Sequence, residues 1–567
     1  MTGPEDYLAR GLWCAASVGW SLPTAAEHWP DRTALAIAAP GRPTDHYTFA
    51  ALHDRVRAAA ADLAARGVRP GDRVVAQLPN RIELLVVILA AWQLGAVAVP
   101  LLPMYRGREL AHILRVTRPA ALVAATARGD RRPAAELDEV LADLGHDPAA
   151  RYAVGATHPG WLPHPGWLPL PTAPPPPAAP PPPPNLPASR GFCQGESGFL
   201  SGPDEQVPHW PAAPDECCLL LFTSGTTSEP KGVRHSSRSL LAEARSYRDE
   251  ALLGAEQPVL VPAPVPHIGA VVACTLLPCL TAAPTVLLES WDVEVAVRAC
   301  AEETVALAIG APVFLAELLD RYEREPDSHR ISMFHTGAAP TGDSVVVRAQ
   351  RLGVTAWRAW GMTEAPTLTS GHPGDPLDRR TRTDGRVDVG SEVQAVDEHR
   401  GPLPVGTPGE LRIRSPKLML GYLDPAHQAA GVDAEGWFYT GDIGVVDADG
   451  WVTIQGRLKD IINRGGEKFS AAEIESLVGE HPDIEAVAVV GLPDQRLGEQ
   501  VGAFVTLRAG RSWPGEAVLL AHLERHQLAR QKYPVVWQVL DQLPRTPTGK
   551  IQKRQLLADW HPDRDHA

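Results

Sequence analysis

An α/β fold is what this sequence predicts, and three observations carry it. Over 45–123, apolar runs of strand length alternate with runs at helical spacing. A second stretch of the same kind spans 215–385, and beyond 457 the pattern changes to a separate α+β unit. Alternation at this pace places parallel strands in a sheet with helices on its faces. At 567 residues the chain is too long for one compact core, so two or more domains are expected.

ALHDRVRAAAADLAARG (51–67) has apolar residues at helical spacing and ends on Gly67, a helix stop. After the Pro-Gly turn at 70–71, DRVVAQLP (72–79) reads as a strand. ELLVVILAAWQLG (83–95) then reads as a mostly apolar helix, and AVAVPL (96–101) as another short strand. The pattern breaks over 154–212, where HPGWLP occurs twice in tandem (158–169) and PTAPPPPAAPPPPPNLP (171–187) follows. Proline offers no ladder donor and favours polyproline II, so an extended surface insertion is expected. A docking site for a proline-recognising partner is the sharper reading, and a tolerated loop insertion the plainer and preferred one. GELRIRSP (409–416) and WVTIQGR (451–457) read as strands of a mostly antiparallel sheet. SAAEIESLVGEHP (470–482) reads as a helix, with EAVAVVGL (485–492) and GAFVTL (502–507) as strands beyond it.

Apolar content of 44% and charged content of 21% are those of an ordinary globular protein. A net charge of -14 argues against a nucleic-acid-binding surface, which needs a basic stripe. Seven cysteines are too few for a disulfide scaffold, and no pair has zinc-site spacing, so a reducing cytoplasm fits best. Glu5 and Asp6 stand where a secretory signal has basic residues, and no stretch reaches transmembrane length without charge or proline.

The chemistry concentrates in a few strings. LLLFTSGTTSEPKGV (219–233) is a strand feeding a loop rich in serine, threonine and glycine. Glycine lets backbone approach an anion, hydroxyls and amides donate to phosphate oxygens, and Lys231 adds a point charge. It is not the GxxxxGK[ST] phosphate loop, because no Gly-Lys-Ser/Thr follows Gly225 at the required spacing. On composition alone, such a loop is equally a surface turn.

The whole string resembles the phosphate-loop signature of the adenylate-forming superfamily: acyl-CoA synthetases, firefly-type luciferases and the adenylation domains of peptide synthetases. Ser228 and Glu229 replace the commoner Gly-x pair at the loop tip. The other motifs arrive in the family's order. The resemblance implies that Thr223, Ser224, Gly225, Thr226, Thr227 and Lys231 bind ATP phosphates. HTGAAPTGD (335–343) resembles the segment whose backbone lines the adenine site, through Gly337, Ala338 and Ala339. WGMTEAP (360–366) resembles the family's Tyr-Gly-Met-Thr-Glu string, with Trp360 in the aromatic position followed by Gly361. By analogy, Trp360 packs near adenine and acyl group, Thr363 contacts phosphate and Glu364 helps hold Mg2+, a hard cation suited to carboxylate oxygen. WFYTGDIG (437–444) supplies Asp442 for the ribose hydroxyls. In GRLKDIINRGGEKFSAAEIE (456–475), Arg457 resembles an arginine reaching ribose or phosphate, and Lys459 occupies the hinge position. Gly465 and Gly466 would let pantetheine pass close to backbone. In PRTPTGKIQK (544–553), Lys550 matches the catalytic lysine.

The resemblance runs from about residue 27 to 555, apart from the insertion at about 155–212. It implies a large N-terminal region (1–458) of two α/β subdomains plus a small β-barrel, and a mobile C-terminal α+β domain (459–567). It implies that a carboxylic acid and ATP give acyl-AMP and pyrophosphate, after which rotation near Lys459 admits a thiol. The attacking carboxylate and the α-phosphate repel. A charge pair at about 4 Å is worth roughly 1 kcal/mol in water but about 4 at an effective dielectric near 20. Cations where charge develops therefore matter most, and Mg2+ and Lys550 are the candidates.

VPAPVPHIGAVVACTLLP (261–278) and IGAPVFLAELL (309–319) match regions flanking the acyl pocket, with His267, Val271 and Gly310 as candidate lining. His267 sits where amino-acid-activating relatives carry an aspartate, and no acid lies near it, which argues against an α-amino acid. The apolar neighbours Ile268 to Ala273 suggest an uncharged chain or ring. PMYRGRELAHILRVTRPAALV (103–123) and ESWDVEVAVRACAEETVALAIGAPVFL (289–315) look like medium-chain and cyclohexanecarboxylate ligases; NRGGEK (463–468) is also common in ligases of aryl acids. Three readings stay open: an acyl-CoA ligase, which is preferred; a stand-alone acyl- or aryl-AMP ligase loading a carrier protein; and a non-catalytic nucleotide-binding relative.

Overall fold

The computed structural model describes residues 4–128, 130–155, 168–171, 212–223, 230–250, 257–328, 330–428, 432–464, 467–494, 496–526, 528–545 and 551–560. Two large sheets form the N-terminal part. In the first, the parallel strands Val97–Pro100, Arg73–Gln77, Ala121–Ala125 and Ala150–Val154 lie side by side. Cys217–Thr223 joins them in parallel on one side, followed by the antiparallel strands Lys231–Ser236 and Gly421–Tyr422. The second sheet has nine strands, with Val259–Val261, Leu307–Gly310, Met333–Thr336 and Thr355–Met362 parallel at its centre. Ala365–Ser370 folds back antiparallel on the last of these.

The helices form where the sequence places them. Phe49–Ala65 starts on Thr48, whose hydroxyl accepts from the Ala51 amide at 3.1 Å, and stops at Gly67 with φ +96°. Ile82–Gln93 is buried at every residue but Glu83, as its mostly apolar surface requires, and lies in the core between the two sheets. A second core covers the other face of the nine-stranded sheet, under Val293–Glu302 and Pro312–Arg324.

The small β unit is an antiparallel sheet of Glu392–Val396, Gly409–Arg414, Phe438–Val446 and Val452–Arg457. Beyond it a smaller α+β domain has its own apolar core. Its sheet is built around the hairpin Ile484–Asp494 and Gly498–Leu507 and covered by the helices Ala471–Gly479 and Glu516–Arg525.

The proline-rich stretch needs one refinement. Leu168–Pro169, read from sequence as part of the insertion, pairs in parallel with Tyr152 and Ala153 and forms the outermost strand of the first sheet. Proline is tolerated there because an edge strand needs no donor on its open side. Residues 156–167 and 172–211 lie outside the described residues. Among the described residues, no helix is long and apolar enough to cross a membrane, and six cysteines are free thiols.

Candidate active site

The strands Cys217–Thr223 and Lys231–Ser236 form a hairpin whose register sets Lys231 directly opposite Thr223, at the mouth of the loop between them. Ser224, Gly225, Thr226 and Thr227 lie outside the described residues. The Lys231 ammonium stands 5.3 Å over the Tyr422 ring, whose hydroxyl donates to Glu364 Oε1 at 2.7 Å. Burial, and then the Glu364 carboxylate, push the Tyr422 hydroxyl pKa upward, so it stays a donor. Lys231 and Glu364, distant in sequence, thus share one aromatic bridge.

Glu364 sits in a tight turn between Thr355–Met362 and Ala365–Ser370. A Cβ on Gly361 would fall 1.3 Å from the Pro366 carbonyl oxygen, so only glycine closes this turn. Two backbone contacts hold it. His235 Nε2 donates to the Thr363 carbonyl at 2.7 Å, and the Met419 amide donates to the Glu364 carbonyl at 2.8 Å. Burial pushes the His235 pKa down to about 4, so the ring is neutral and Nε2 carries the proton that this bond needs.

Trp360, Asp442 and Arg457 converge on one spot. Trp360 Nε1 donates to Asp442 Oδ2 at 2.9 Å, and Arg457 Nε lies 2.6 Å from Asp442 Oδ1. The strand register sets Asp442 opposite Arg457.

The segment after Met333–Thr336 carries Gly337, Ala338 and Ala339. Ala338 adopts a left-handed conformation, φ +66°, and is exposed. The Gly337 amide donates to the Gly310 carbonyl at 3.1 Å, and a Cβ on Gly337 would come 3.3 Å from the Ala359 carbonyl oxygen. Gly310 itself faces Pro262 and Phe314, which a Cβ there would meet at 2.8 and 3.1 Å. His267 immediately precedes the helix Ile268–Thr275. Its Nε2 has no hydrogen-bond partner, and crowding by protein pushes its pKa down to about 4, yet the residue keeps a partly exposed surface. Val271 is fully buried in the core between the sheets.

Lys459 lies in the short turn Leu458–Asp460, where burial lowers its pKa against the opposing pull of Asp460. Gly465, Gly466 and Lys550 lie outside the described residues. No group of three or more His, Cys, Asp or Glu side chains among the described residues is arranged to hold a metal. Glu364 alone, with one oxygen engaged by Tyr422, suits an ion such as Mg2+ that takes one carboxylate and completes its shell with phosphate oxygens and water.

Behind the turn lies a group that the motifs did not announce. Lys417 is buried and pairs with Asp388 and, at 3.3 Å, with Glu243. It also donates to Ser246 Oγ at 2.8 Å and to the Thr367 carbonyl at 2.6 Å, while Thr367 Oγ1 donates to Glu243 at 2.6 Å. The helix Ser237–Glu250, the strand carrying Thr367 and the small β unit meet at this cluster.

The AMP-binding enzyme family matches residues 22–423, and its C-terminal domain matches 473–550. A medium-chain fatty-acid–CoA ligase of Escherichia coli is 32% identical over 98% of this chain and 92% of its own. An indoleacetate–CoA ligase of Aromatoleum aromaticum is 31% identical over 94% of this chain and 98% of its own. Among solved structures, ATP-bound MatB from Rhodopseudomonas palustris superposes with a TM-score of 0.77 at 25% identity, covering 95% of this chain and 98% of that one. With most of its length matched by the family model and by relatives, this chain belongs to the AMP-binding enzyme family.

Proposed function

We propose that this protein is an acyl-CoA ligase that uses ATP to activate a carboxylic acid as acyl-AMP and passes the acyl group to CoA. The observation that carries the reading is the convergence of Lys231, Tyr422 and Glu364 beside the Trp360–Asp442–Arg457 cluster. A basic group and a carboxylate at a glycine-hydroxyl loop suit a triphosphate with its metal, and a buried acceptor next to an indole suits a nucleoside.

In the first half-reaction a carboxylate oxygen of the acid bonds to the α-phosphorus, and the bond to the bridging oxygen breaks to release pyrophosphate. The acid is already ionised at neutral pH, so no base is needed. Lys231, Thr223 and the loop 224–227 hold the phosphates, with Thr363 against them, and Asp442 and Arg457 hold the ribose. Gly337, Ala338 and Ala339 line the adenine. Mg2+, held at Glu364, neutralises phosphate charge when bound. Lys550 supplies a second cation as charge shifts to the leaving pyrophosphate. In the second half-reaction the CoA sulfur bonds to the acyl carbon and AMP leaves. Residues 459–567 would rotate about Lys459 relative to 1–458, bringing Gly465 and Gly466 to the pantetheine. His267 and Gly310 would border the acyl group, with Val271 supporting them from the core. The free thiols and the cytoplasmic pool of CoA and ATP make the cytoplasm the compartment we assign.

The test is pyrophosphate release with ATP and Mg2+ over straight-chain, alicyclic, aryl and amino acids, with and without CoA. Acid-dependent release that turns over many times only with CoA supports the reading. Release that stops near one equivalent regardless of CoA points to a carrier-protein acceptor, and nucleotide binding without any release to a non-catalytic protein.

A further inference from the structure

Residues 7–18 cross the junction at which the Lys417 cluster lies. The Arg245 guanidinium donates to the Gly11 carbonyl at 3.3 Å, and the Val18 amide donates to Ser237 Oγ at 3.2 Å, which ties this segment to the helix Ser237–Glu250. Leu12 packs against Gly390, where a Cβ would fall 2.5 Å from the leucine Cδ1 and where φ is +84°. Glycine alone suits that position, two residues from Asp388 of the cluster. Tyr7 is buried against the same edge of the small β unit. Burial, then the Glu392 charge, pushes its hydroxyl pKa up to about 12. The Trp13 ring meets Tyr7 edge-on at 5.1 Å, and the Arg238 guanidinium stands 5.2 Å over it. Trp13 Nε1 donates to the Pro416 carbonyl at 2.7 Å.

Pro416 opens the short stretch that reaches Glu364. Proline has no amide hydrogen, so the carbonyl is the one backbone group through which residue 416 can be hydrogen-bonded. Three residues on, the Met419 amide donates to the Glu364 carbonyl at 2.8 Å, and the Leu420 amide donates to the Arg234 carbonyl at 2.8 Å. The Tyr422 hydroxyl then donates to Glu364 Oε1 at 2.7 Å, with the Lys231 ammonium over the same ring. Lys417 anchors this stretch through its side chain, and the Trp13 indole anchors it through its backbone. Pro416 is buried, so loss of that donor leaves a costly unpaired carbonyl and a stretch free to shift.

We propose that Trp13 is a positioning residue for the metal–triphosphate end of the site. Its bond to Pro416 sets where residues 416–422 hold Glu364 and Tyr422, and so how tightly ATP binds with Mg2+. This rests on the reading above, in which Glu364 and Lys231 serve those phosphates and their ion. In that reading the ribose belongs to the separate cluster of Trp360, Asp442 and Arg457, which bond one another. AMP lacks the two outer phosphates and the ion they share, so its binding should be indifferent to Trp13.

The experiment measures binding of ATP with Mg2+, and of AMP, by calorimetry on the full chain, alongside thermal unfolding and the kinetics of pyrophosphate release. Trp13→Phe keeps a ring against Tyr7 and Arg238 and removes the indole donor. It should weaken binding of ATP with Mg2+ by roughly three- to tenfold, the scale of one hydrogen bond, and leave AMP within about twofold. In turnover the KM for ATP should rise while kcat and the KM for the acid stay near wild type. Should that variant fail to fold, Leu12→Ala loosens the same segment at Gly390 and should give the same split between ATP and AMP. Equal weakening of both nucleotides overturns the inference, as do unchanged affinities, whether or not the unfolding temperature falls. A wild-type protein that binds ATP but releases no pyrophosphate with any acid overturns the activation reading, and the binding comparison still decides this one. A wild-type protein that binds no ATP overturns both.

Discussion

Glu364 has one carboxylate oxygen oriented by the Tyr422 hydroxyl and its carbonyl held by the Met419 amide, which together fix the direction of the remaining oxygen. A hydrogen bond to a charged group contributes about 1.5–3 kcal/mol. Tyr422→Phe should therefore lower kcat/KM for ATP by roughly tenfold or more, while thioester formation from pre-made acyl-AMP stays close to wild type. Steady-state rates of the two half-reactions measure this, and an unchanged ATP dependence removes Tyr422 from the site. Trp360, Glu364, Asp442 and Arg457 were legible in the sequence because each lies in a short string with a recognisable order. Tyr422 and His235 were not. Their contacts to Glu364 and Thr363 span 58 and 128 positions and exist only once separate strands have been laid together. Nor was Trp13, whose contact to Pro416 spans 403 positions.

The elements that carry these residues are held in register by the buried cluster of Lys417, Glu243 and Asp388. Lys417 Nζ donates to the Thr367 carbonyl, and two residues on the Met419 amide donates to the Glu364 carbonyl, so one short segment grips both the turn and the strand that leaves it. Removing the lysine leaves two carboxylates buried without their cation, which costs about 3–5 kcal/mol where a buried pair is broken from one side. Lys417→Met should lower the unfolding free energy by that order, whereas the same change combined with Glu243→Gln and Asp388→Asn should restore most of it. Denaturant unfolding of the two variants decides this, and equal loss in both would mean that shape, not charge, matters here. Local periodicity placed most elements within a few residues: the helix expected over 51–67 is Phe49–Ala65, and the one over 470–482 is Ala471–Gly479. The edge strand Leu168–Pro169 escaped because two residues carry no period, and its proline argued against pairing.

For the molecule as a whole, the question is which parts the reaction needs. The strand Leu168–Pro169 is tied to the first sheet, and the described residues resume at Ala212. Removing 172–187 shortens the connection between these anchors without touching either, and closure entropy changes by only about 0.5 kcal/mol. Adenylation by that deletion variant should match wild type within about twofold, and a severe loss of folded protein would give the proline-rich stretch a structural role. The C-terminal domain is the opposite case. In the reading proposed above, Lys550, from a domain with its own core and sheet, acts at the α-phosphate in one orientation of that domain. On the same reading, transfer to CoA uses the Gly465–Gly466 segment in the other orientation. One domain cannot present both faces at once, so the half-reactions should separate. Lys550→Ala should lower acyl-AMP formation by roughly a hundredfold or more, the scale of losing one positioned charge at a transition state. Its conversion of supplied acyl-AMP and CoA to thioester should stay within a few-fold of wild type. Equal loss in both half-reactions would mean that a single arrangement of the two domains serves the whole reaction, and the hinge assigned to Lys459 would have no task.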